Sequence, residues 1–179
     1  TGKYISFLDV DDLWREDKLE IQMKYFLKNE NIEIVYANHY LLYEKRNVKK
    51  IQTKSYLPEG FITNDLLKNY CVGIQTLCLN KKIFENNKFN DKYNIIGDFD
   101  FVINQSLKKK IGSIQEPLAF YRIHKDNLSK KKIDFFIKEL EEWIKINENK
   151  YRLKGFSFFH QKVFLFKLKL KSLLKIMGV

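Results

Sequence analysis

The order of apolar and polar positions along the chain predicts strands alternating with helices. Residues 4–8 form a short apolar run that ends in an acidic turn, which predicts a buried strand with carboxylates at its C-terminal end. Residues 32–43 and 74–80 are rich in β-branched and aromatic side chains and predict two more strands. Residues 113–123 predict a further extended segment, in which Pro117 favours an edge strand over a central one.

Between these strands, apolar residues recur at helical spacing. The first such stretch predicts a helix over residues 16–29, with its apolar positions at Leu19, Met23, Phe26 and Leu27. Residues 57–70 predict a short helix after a Pro and Gly start. Residues 98–110 predict a third helix, with acidic residues at its start and lysines at its end, as the helix dipole favours.

From about Asn127 the pattern becomes helical throughout. An apolar stripe predicts one long helix, at Phe136, Leu140, Trp143 and Ile144. The last stretch, residues 156–177, is both basic and apolar. The sequence therefore predicts an α/β fold with a mixed sheet flanked by helices over residues 1–126, followed by a basic helical extension over residues 127–179.

Composition and charge narrow the class of protein. A chain of 179 residues with 45% hydrophobic residues can bury a core, and its length suits one domain. The formal net charge of +11 favours anionic partners, whether nucleic acid, acidic lipid or a phosphorylated small molecule. Cys71 and Cys78 are too few for a disulfide framework or a zinc site and are predicted to be buried apolar residues. No run of residues is apolar enough to predict a membrane span or a secretory signal.

Three aspartates stand out against this positive charge. Asp9, Asp11 and Asp12 follow the first predicted strand, and carboxylates this close together repel each other unless a cation compensates them. A divalent ion such as Mg²⁺ or Mn²⁺ would do so, because it prefers oxygen ligands and bridges carboxylates to phosphates. The alternative is a turn in which aspartate side chains cap backbone amides.

Two later segments also carry candidate chemistry. Asp98 and Asp100 lie at the start of a predicted helix, where an ionised carboxylate is favoured and Asp98 could act as a general base or merely as a cap. Arg122, His124 and Ser129 follow the last predicted strand. Arginine neutralises phosphate and histidine binds metals or donates a proton, although a single histidine is often structural.

Taken together, these segments resemble the family-2 glycosyltransferases with the GT-A fold. FLDVDDLW resembles the family's D-x-D-D-x-W segment, GDFDF its E-D-x-D-L segment, and YRIHKDNLS its Y-R-x-H-x-x-x-x-S segment. NKFNDKYN also resembles the approach to the second of these. The resemblance covers about residues 1–130, and the order and spacing of the segments fit as well as their composition.

The resemblance implies a donor site for a nucleotide-diphosphate sugar with Mn²⁺ or Mg²⁺. Asp9 would lie near the ribose, and Asp11 would hold the metal that bridges the diphosphate. His124, supported by Arg122, would lie near the diphosphate and the metal.

The resemblance also implies an inverting reaction on an acceptor hydroxyl. Asp98 matches the catalytic base, while Asp12, Trp14 and Asp100 would line the region of the sugar and the acceptor. The family usually has Glu where this chain has Gly97, so the base could instead be Asp100. Nothing here matches the family's first strand and helix, which bind the nucleotide base, so we expect a C-terminal part of a longer enzyme that is inactive alone.

Two other functions fit parts of the pattern. A haloacid-dehalogenase-like, Mg-dependent phosphatase would explain FLDVDDLW and IIGDFDF, but that family expects Thr or Val where Leu13 stands. A non-catalytic basic module could bind a membrane or nucleic acid through the C-terminal tail. Signatures of nucleic-acid-binding domains are absent from the sequence, so nucleic acid is not expected as a partner.

The tail indicates where the protein acts. Residues 156–177 carry Lys167, Lys171 and Lys175 at four-residue spacing among apolar residues, which would suit a helix on an anionic membrane surface. Packing against its own domain, or a homo-oligomer, is the alternative. We expect a cytoplasmic protein, peripheral on the inner face of the cell membrane, acting on a glycan or lipid-linked acceptor in polysaccharide biosynthesis.

Overall fold

The structure is a computed structural model that describes residues 2–46, 48–124, 127 and 132–176. The chain forms two compact units, the first within residues 1–63, 71–88 and 104–124, and the second within residues 64–70, 89–103 and 125–179. Ser129 lies outside the described residues. The predicted domain boundary between residues 126 and 127 stays a prediction.

The strands and helices of the described residues follow the predicted alternation in part. The strand predicted over residues 74–80 is a 3-10 helix at Ile74–Thr76 and a strand only over Cys78–Asn80, and the elements Leu13–Trp14, Val48–Ile51 and Lys81–Asn86 were not predicted. The strands are β1 (Tyr4–Ser6), β2 (Leu13–Trp14), β3 (Ile34–Tyr43), β4 (Val48–Ile51), β5 (Cys78–Asn80) and β6 (Ile111–Ile123). The helices are α1 (Lys18–Lys28), α2 (Thr63–Lys68), α3 (Lys81–Asn86), α4 (Gly97–Ser106), α5 (Ile133–Arg152) and α6 (Phe159–Ile176). None of the described helices combines the length and the apolar character needed to cross a membrane.

One mixed sheet organises the first unit. Its strand order is β1-β5-β3-β6-β2, with β4 paired to β3. β3 and β6 run parallel, whereas the other pairs of strands are antiparallel. This confirms the predicted α/β fold with a mixed sheet flanked by helices, as expected for part of a GT-A-like domain.

The first strand differs from its prediction. β1 ends at Ser6, and all three of its residues are only half-buried. It lies at the edge of the sheet, where in the described part of the chain it pairs with β5 alone. An edge strand shares fewer neighbours than a central one, so the apolar run of residues 4–8 does not become a buried strand.

Pro117 lies in an interior strand, and its assignment to an edge was wrong. β6 runs between β3 and β2. Its register against β3 shifts between Ala37, which faces Ile114, and Asn38, which faces Pro117. Pro117 therefore lies at an irregularity of the β3–β6 pairing, and such places are where sheets accommodate proline.

Helix α1 packs on the sheet with a face that includes only part of the predicted apolar positions. Its buried residues are Lys18, Gln22 and Phe26, whereas Leu19 and Leu27 are 45% and 79% exposed. The apolar spacing therefore located the helix and part of its packed face, since Phe26 is buried and Met23 packs against the core. Phe26 is part of a cluster of buried residues that also contains Val35, Ala37, Cys78, Ile114 and Leu118. Both cysteines are buried, as predicted.

The second unit is built around the long helix α5. Leu140, Trp143 and Ile144 of the predicted stripe are buried, which confirms it. The Trp143 ring stacks on Phe158 with centroids 5.2 Å apart and meets Phe99 edge-on at 4.7 Å. Helix α4 ends at Ser106, so the lysines at 108–110 follow it and do not form its last turn.

Candidate active site

The pairing of β2 with β6 brings two of the three candidate segments together. Leu13 faces Phe120 and Trp14 faces Ala119 in an antiparallel register. Continuing that register by two residues sets Asp12 and Asp11 beside residues 121 and 122. The acidic turn and the end of β6 are therefore neighbours because two residues of β2 pair with β6, although more than 100 positions separate them in the chain.

Asp11 is held by the two basic residues at the end of β6. The His124 Nε2 and Asp11 Oδ2 atoms lie 2.9 Å apart, within hydrogen-bond distance. The Arg122 side chain donates through Nε to the backbone carbonyl of Asp11 and approaches Glu44 at 3.3 Å. The structure thus brings together Asp11, Arg122 and His124 in the first unit.

Asp12 is the buried member of the acidic turn. Its side chain is only 4% exposed, and its Oδ1 accepts a 2.9 Å hydrogen bond from the backbone N–H of Arg122. Its Oδ2 is buried, and within the described part of the chain no group donates to it. Burial, with repulsion from Asp11 and Asp9, raises the pKa of Asp12 to about 6 despite the Arg122 N–H.

The charged form of the Asp9 carboxyl is also disfavoured. Its backbone carbonyl accepts from the Asp12 N–H at 3.0 Å, which closes the turn. Burial and the neighbouring charge of Asp11 raise the pKa of the Asp9 carboxyl. Two carboxylates with raised pKa values and one buried oxygen without a donor would all be stabilised by a cation or by a hydroxyl donor bound there.

The residues of this site fit a divalent cation only if a bound substrate supplies some of the ligands of that cation. Over residues 2–46, 48–124, 127 and 132–176, no three His, Cys, Asp or Glu side chains are grouped closely enough to hold a metal. The Asp11 carboxylate and the His124 imidazole form a two-donor set. Mg²⁺ is commonly bound by one or two carboxylates with the remaining ligands from substrate phosphates and water, so this donor set suits an ion that arrives with a diphosphate.

Trp14 is anchored by the unit itself. Its indole N–H donates to the backbone carbonyl of Gln75 at 2.8 Å. The Lys18 ammonium lies 4.1 Å from the centroid of its ring, a cation–π contact. The tryptophan is half-buried beside the acidic turn, where these contacts fix the end of β2.

Lys18 is a residue that the sequence analysis missed. It is fully buried, and its ammonium donates to the Gln22 side chain at 2.8 Å, while Gln22 donates to the backbone carbonyl of Thr76 at 2.7 Å. Burial lowers the pKa of Lys18 to about 8. A lysine in the first turn of a helix gives no signal of burial in a single sequence, since lysines are nearly always exposed.

The acidic pair of the second unit divides into two environments. Asp98 is half-buried in the first turn of α4 and lines a cavity of about 510 Å³. Asp100 is only 8% exposed, and its Oδ1 accepts a 2.8 Å hydrogen bond from the indole N–H of Trp143. Asp98 therefore borders a space that a substrate could enter, whereas Asp100 is tied to the core of its unit.

Glu139 positions the segment that leads to Asp98, and the sequence analysis also missed it. This side chain of α5 is 6% exposed. It accepts backbone N–H bonds from Asn94 at 2.8 Å, Ile95 at 2.9 Å and Ile96 at 3.2 Å. These amides belong to the segment that leads into α4, with Ile96 directly before its first residue, and a distant carboxylate that binds them leaves no local motif to find.

Comparisons with known proteins point to glycosyltransferases. Escherichia coli WfgD, named UDP-Glc:alpha-D-GlcNAc-diphosphoundecaprenol beta-1,3-glucosyltransferase, is 40% identical over 46% of this chain and 31% of its own length. The uncharacterized glycosyltransferase MJ1057 of Methanocaldococcus jannaschii is 30% identical over 70% of this chain and 44% of its own. The putative teichuronic acid biosynthesis glycosyltransferase TuaG of Bacillus subtilis is 28% identical over 73% and 51%. No protein-family model matches the chain.

These similarities relate the chain to glycosyltransferases and support a transferase function. They do not favour the phosphatase or the non-catalytic module considered above. The chain spans about a third to a half of the length of these curated relatives.

Proposed function

We propose that the protein is an inverting, metal-dependent glycosyltransferase of family 2, with the GT-A fold. It would transfer a hexose-type sugar from a nucleotide-diphosphate sugar to a hydroxyl of a glycan or lipid-linked acceptor. The observation that carries this proposal is the contact of Asp11 with His124 and Arg122, next to Asp12, whose buried Oδ2 accepts no hydrogen bond from the described residues. The names of the relatives supply the class of reaction.

The acidic turn is proposed as the donor side. Asp11 and His124 would hold Mg²⁺ or Mn²⁺, and when bound this ion would neutralise the charge that develops on the departing nucleoside diphosphate. Asp9 would contact the ribose. Arg122, which already holds the turn through the carbonyl of Asp11, would keep the turn in place when the diphosphate binds. Asp12 and Trp14 would border the transferred sugar, and the buried Asp12 Oδ2 could accept from a sugar hydroxyl.

Asp98 is proposed as the base that removes the proton from the acceptor hydroxyl. A carboxylate in the first turn of a helix is favoured in its charged form, which is the form that a base needs. Asp98 borders a cavity, whereas Asp100 accepts from Trp143 and is nearly buried. Asp100 would thus support the acceptor region through Trp143, with Asp98 in contact with the substrate.

The test measures nucleoside-diphosphate release by the full-length protein, with nucleotide-sugars and Mn²⁺ or Mg²⁺. Asp98→Asn is expected to lower kcat by about 10²- to 10⁴-fold, the usual contribution of a positioned base. Asp11→Asn is expected to raise the metal concentration for half-maximal activity by at least about tenfold. Asp65→Asn, an exposed aspartate in the first turn of α2, serves as the matched control. Full activity in both site variants would refute the mechanism.

A second part of the proposal concerns the membrane. Helix α6 buries one face, at Gln161, Leu165 and Ser172, and exposes a second apolar stripe at Phe159, Phe166, Leu170 and Leu173. The spacing of seven, four and three residues puts this stripe on one side of the helix, opposite the buried face. The four side chains are between 47% and 67% exposed.

Lysines flank the exposed stripe. Lys162 and Lys169 border it on one side and Lys167 on the other, so each could keep its ammonium in water while its stem lies along apolar surface. With a formal net charge of +11, the chain suits an anionic surface. We assign the stripe to the inner face of the cell membrane, where a lipid-linked acceptor would be reached.

Vesicle flotation tests this assignment. The double variant Phe166→Ser and Leu170→Ser is expected to bind anionic vesicles at least about tenfold more weakly, since each large apolar side chain contributes about 1.5 to 3 kcal/mol on burial. Leu27→Ser with Leu153→Ser removes two apolar residues elsewhere that are even more exposed, at 79% and 81%, and this variant should bind normally. A lipid-free dimer that the first variant dissociates would assign the stripe to a second copy instead.

A further inference from the structure

The cavity beside Asp98 lies entirely within the second unit. Its volume of about 510 Å³ falls in the range of small-molecule sites. It is lined by residues of α2, α4, α5 and α6 and of the segments that follow α2 and precede α4. A cavity bounded by four helices is a formed site whose chemistry can be read from its lining.

The lining combines three kinds of group. Aromatic rings form an apolar wall, at Tyr70, Phe99, Phe136 and Phe164. Lys68 and Lys167 add two ammonium groups, both on exposed residues, and Asp98 adds a carboxylate. Rings suit the apolar face of a sugar or a lipid chain, and ammonium groups suit phosphate. The cavity is therefore matched to a ligand that carries sugar, phosphate and lipid together.

Gln161 provides an independent sign of a ligand. This side chain lines the cavity and is 7% exposed. Its Nε2 donates to the backbone carbonyl of Leu67. Its Oε1 is buried, and among the residues that the structure describes no donor reaches it. A buried acceptor without a donor costs free energy, which a hydroxyl of a bound sugar would recover.

We propose that this cavity binds the sugar-diphosphate end of a polyprenyl-linked acceptor. The sugar would pack on the aromatic wall and donate a hydroxyl to Gln161, while Lys68 and Lys167 would neutralise the diphosphate. A second hydroxyl of the sugar would meet Asp98. The inference rests on the proposed function, because this cavity is the acceptor site only if Asp98 is the catalytic base. Lys167 also flanks the exposed stripe of α6, so the diphosphate would be bound next to the membrane surface.

Binding to two synthetic ligands tests the phosphate assignment without turnover. One is decyl N-acetylglucosaminyl diphosphate, and the other is decyl N-acetylglucosaminide, which lacks the diphosphate. The full-length protein is expected to bind the first at least about tenfold more tightly by calorimetry. Lys68→Ala with Lys167→Ala should abolish that preference, and Lys68→Arg with Lys167→Arg should keep it. Equal affinity for both ligands in the unaltered protein would overturn the inference.

The matched control uses lysines of α6 that do not line the cavity. Lys162 and Lys169 pair with Glu148 and Glu141 at 2.6 Å and 2.5 Å. Lys162→Ala with Lys169→Ala should keep the preference for the diphosphate. Gln161→Leu should weaken both ligands by a similar factor, about two- to tenfold, since both carry the sugar. A control variant that loses the preference as fully as the cavity variant would contradict the assignment.

Two further arms separate this inference from the other proposals. Acceptor-free anionic vesicles should bind the Lys68→Ala variant nearly as well as the unaltered protein, because Lys68 does not flank the stripe of α6, and a loss of binding there would assign Lys68 to the membrane surface instead. In turnover assays the variant with both lysines replaced by alanine should raise the KM for acceptor with little change in the KM for donor. If the diphosphate preference is lost as expected but Asp98→Asn leaves kcat unchanged, the assignment of Asp98 as the base is wrong and the assignment of the phosphate site is kept.

Discussion

Replacing Glu139 by glutamine tests how the segment before Asp98 is held. The carboxylate accepts three backbone N–H bonds, at 2.8, 2.9 and 3.2 Å, and its side chain is 6% exposed. Glutamine has nearly the same shape but offers only one acceptor oxygen. Its NH2 group is a donor and would face at least one of the three backbone N–H groups, which cannot accept a hydrogen bond. The substitution therefore changes the hydrogen bonding and leaves the packing almost unaltered.

The expected loss of stability follows from counting these bonds. A hydrogen bond to a charged group contributes about 1.5 to 3 kcal/mol and a neutral one about 0.5 to 1.5 kcal/mol. Two bonds that become neutral would lose about 1 kcal/mol each. The third is lost, at about 1 to 2 kcal/mol, because its residue, Asn94, is exposed enough for water to replace part of the bond. We expect the free energy of unfolding to fall by about 3 to 4 kcal/mol.

Urea unfolding followed by circular dichroism measures this change. Glu142→Gln is the matched control, since Glu142 is an exposed residue of the same helix, and it should change stability by less than about 0.5 kcal/mol. In the full-length enzyme, Glu139→Gln should also lower kcat more than it changes the KM for donor, because it loosens the segment before Asp98. A loss of stability no larger than that of the control would refute the capping role.

Three other changes have defined outcomes. Burial lowers the pKa of His39 to about 4, so between pH 6.5 and 4 the unfolded chain binds a proton that the folded chain does not. The free energy of unfolding should therefore fall by up to about 3 kcal/mol as the pH drops through this range. In urea titrations His39→Leu should remove this pH dependence, and parallel curves for the two proteins would contradict it. Lys18 has a pKa lowered to about 8, so stability should rise by up to about 3 kcal/mol between pH 8 and 10.5, and Lys18→Met should lack this rise. A Cβ at Gly97 would meet no atom within 4 Å, so Gly97→Glu should raise stability by about 0.5 to 1 kcal/mol, whereas a drop in Tm would show that the added side chain does not fit.

The sequence alone determined the longest elements of the fold and the choice of candidate residues for the proposed donor side. Strand β3 and helix α5 were predicted because their periodicities are long and regular, and such patterns reflect burial directly. Asp11, Arg122 and His124 were selected as candidates because their residue types are typical of metal and phosphate binding, and the structure brings the three together. The α/β class followed from the alternation of these patterns along the chain.

Tertiary structure decided what depends on distant neighbours. The buried face of α1 runs through Lys18 and Gln22, which no hydrophobic pattern predicts, because their polar groups find partners elsewhere in the unit. Pro117 lies inside the sheet at a shift in the β3–β6 register, which only the pairing of two distant strands creates. The caps that Glu139 supplies are contacts across more than 40 residues. A local pattern records whether a residue is apolar, but only folding brings together the groups that make a polar residue stable in the interior.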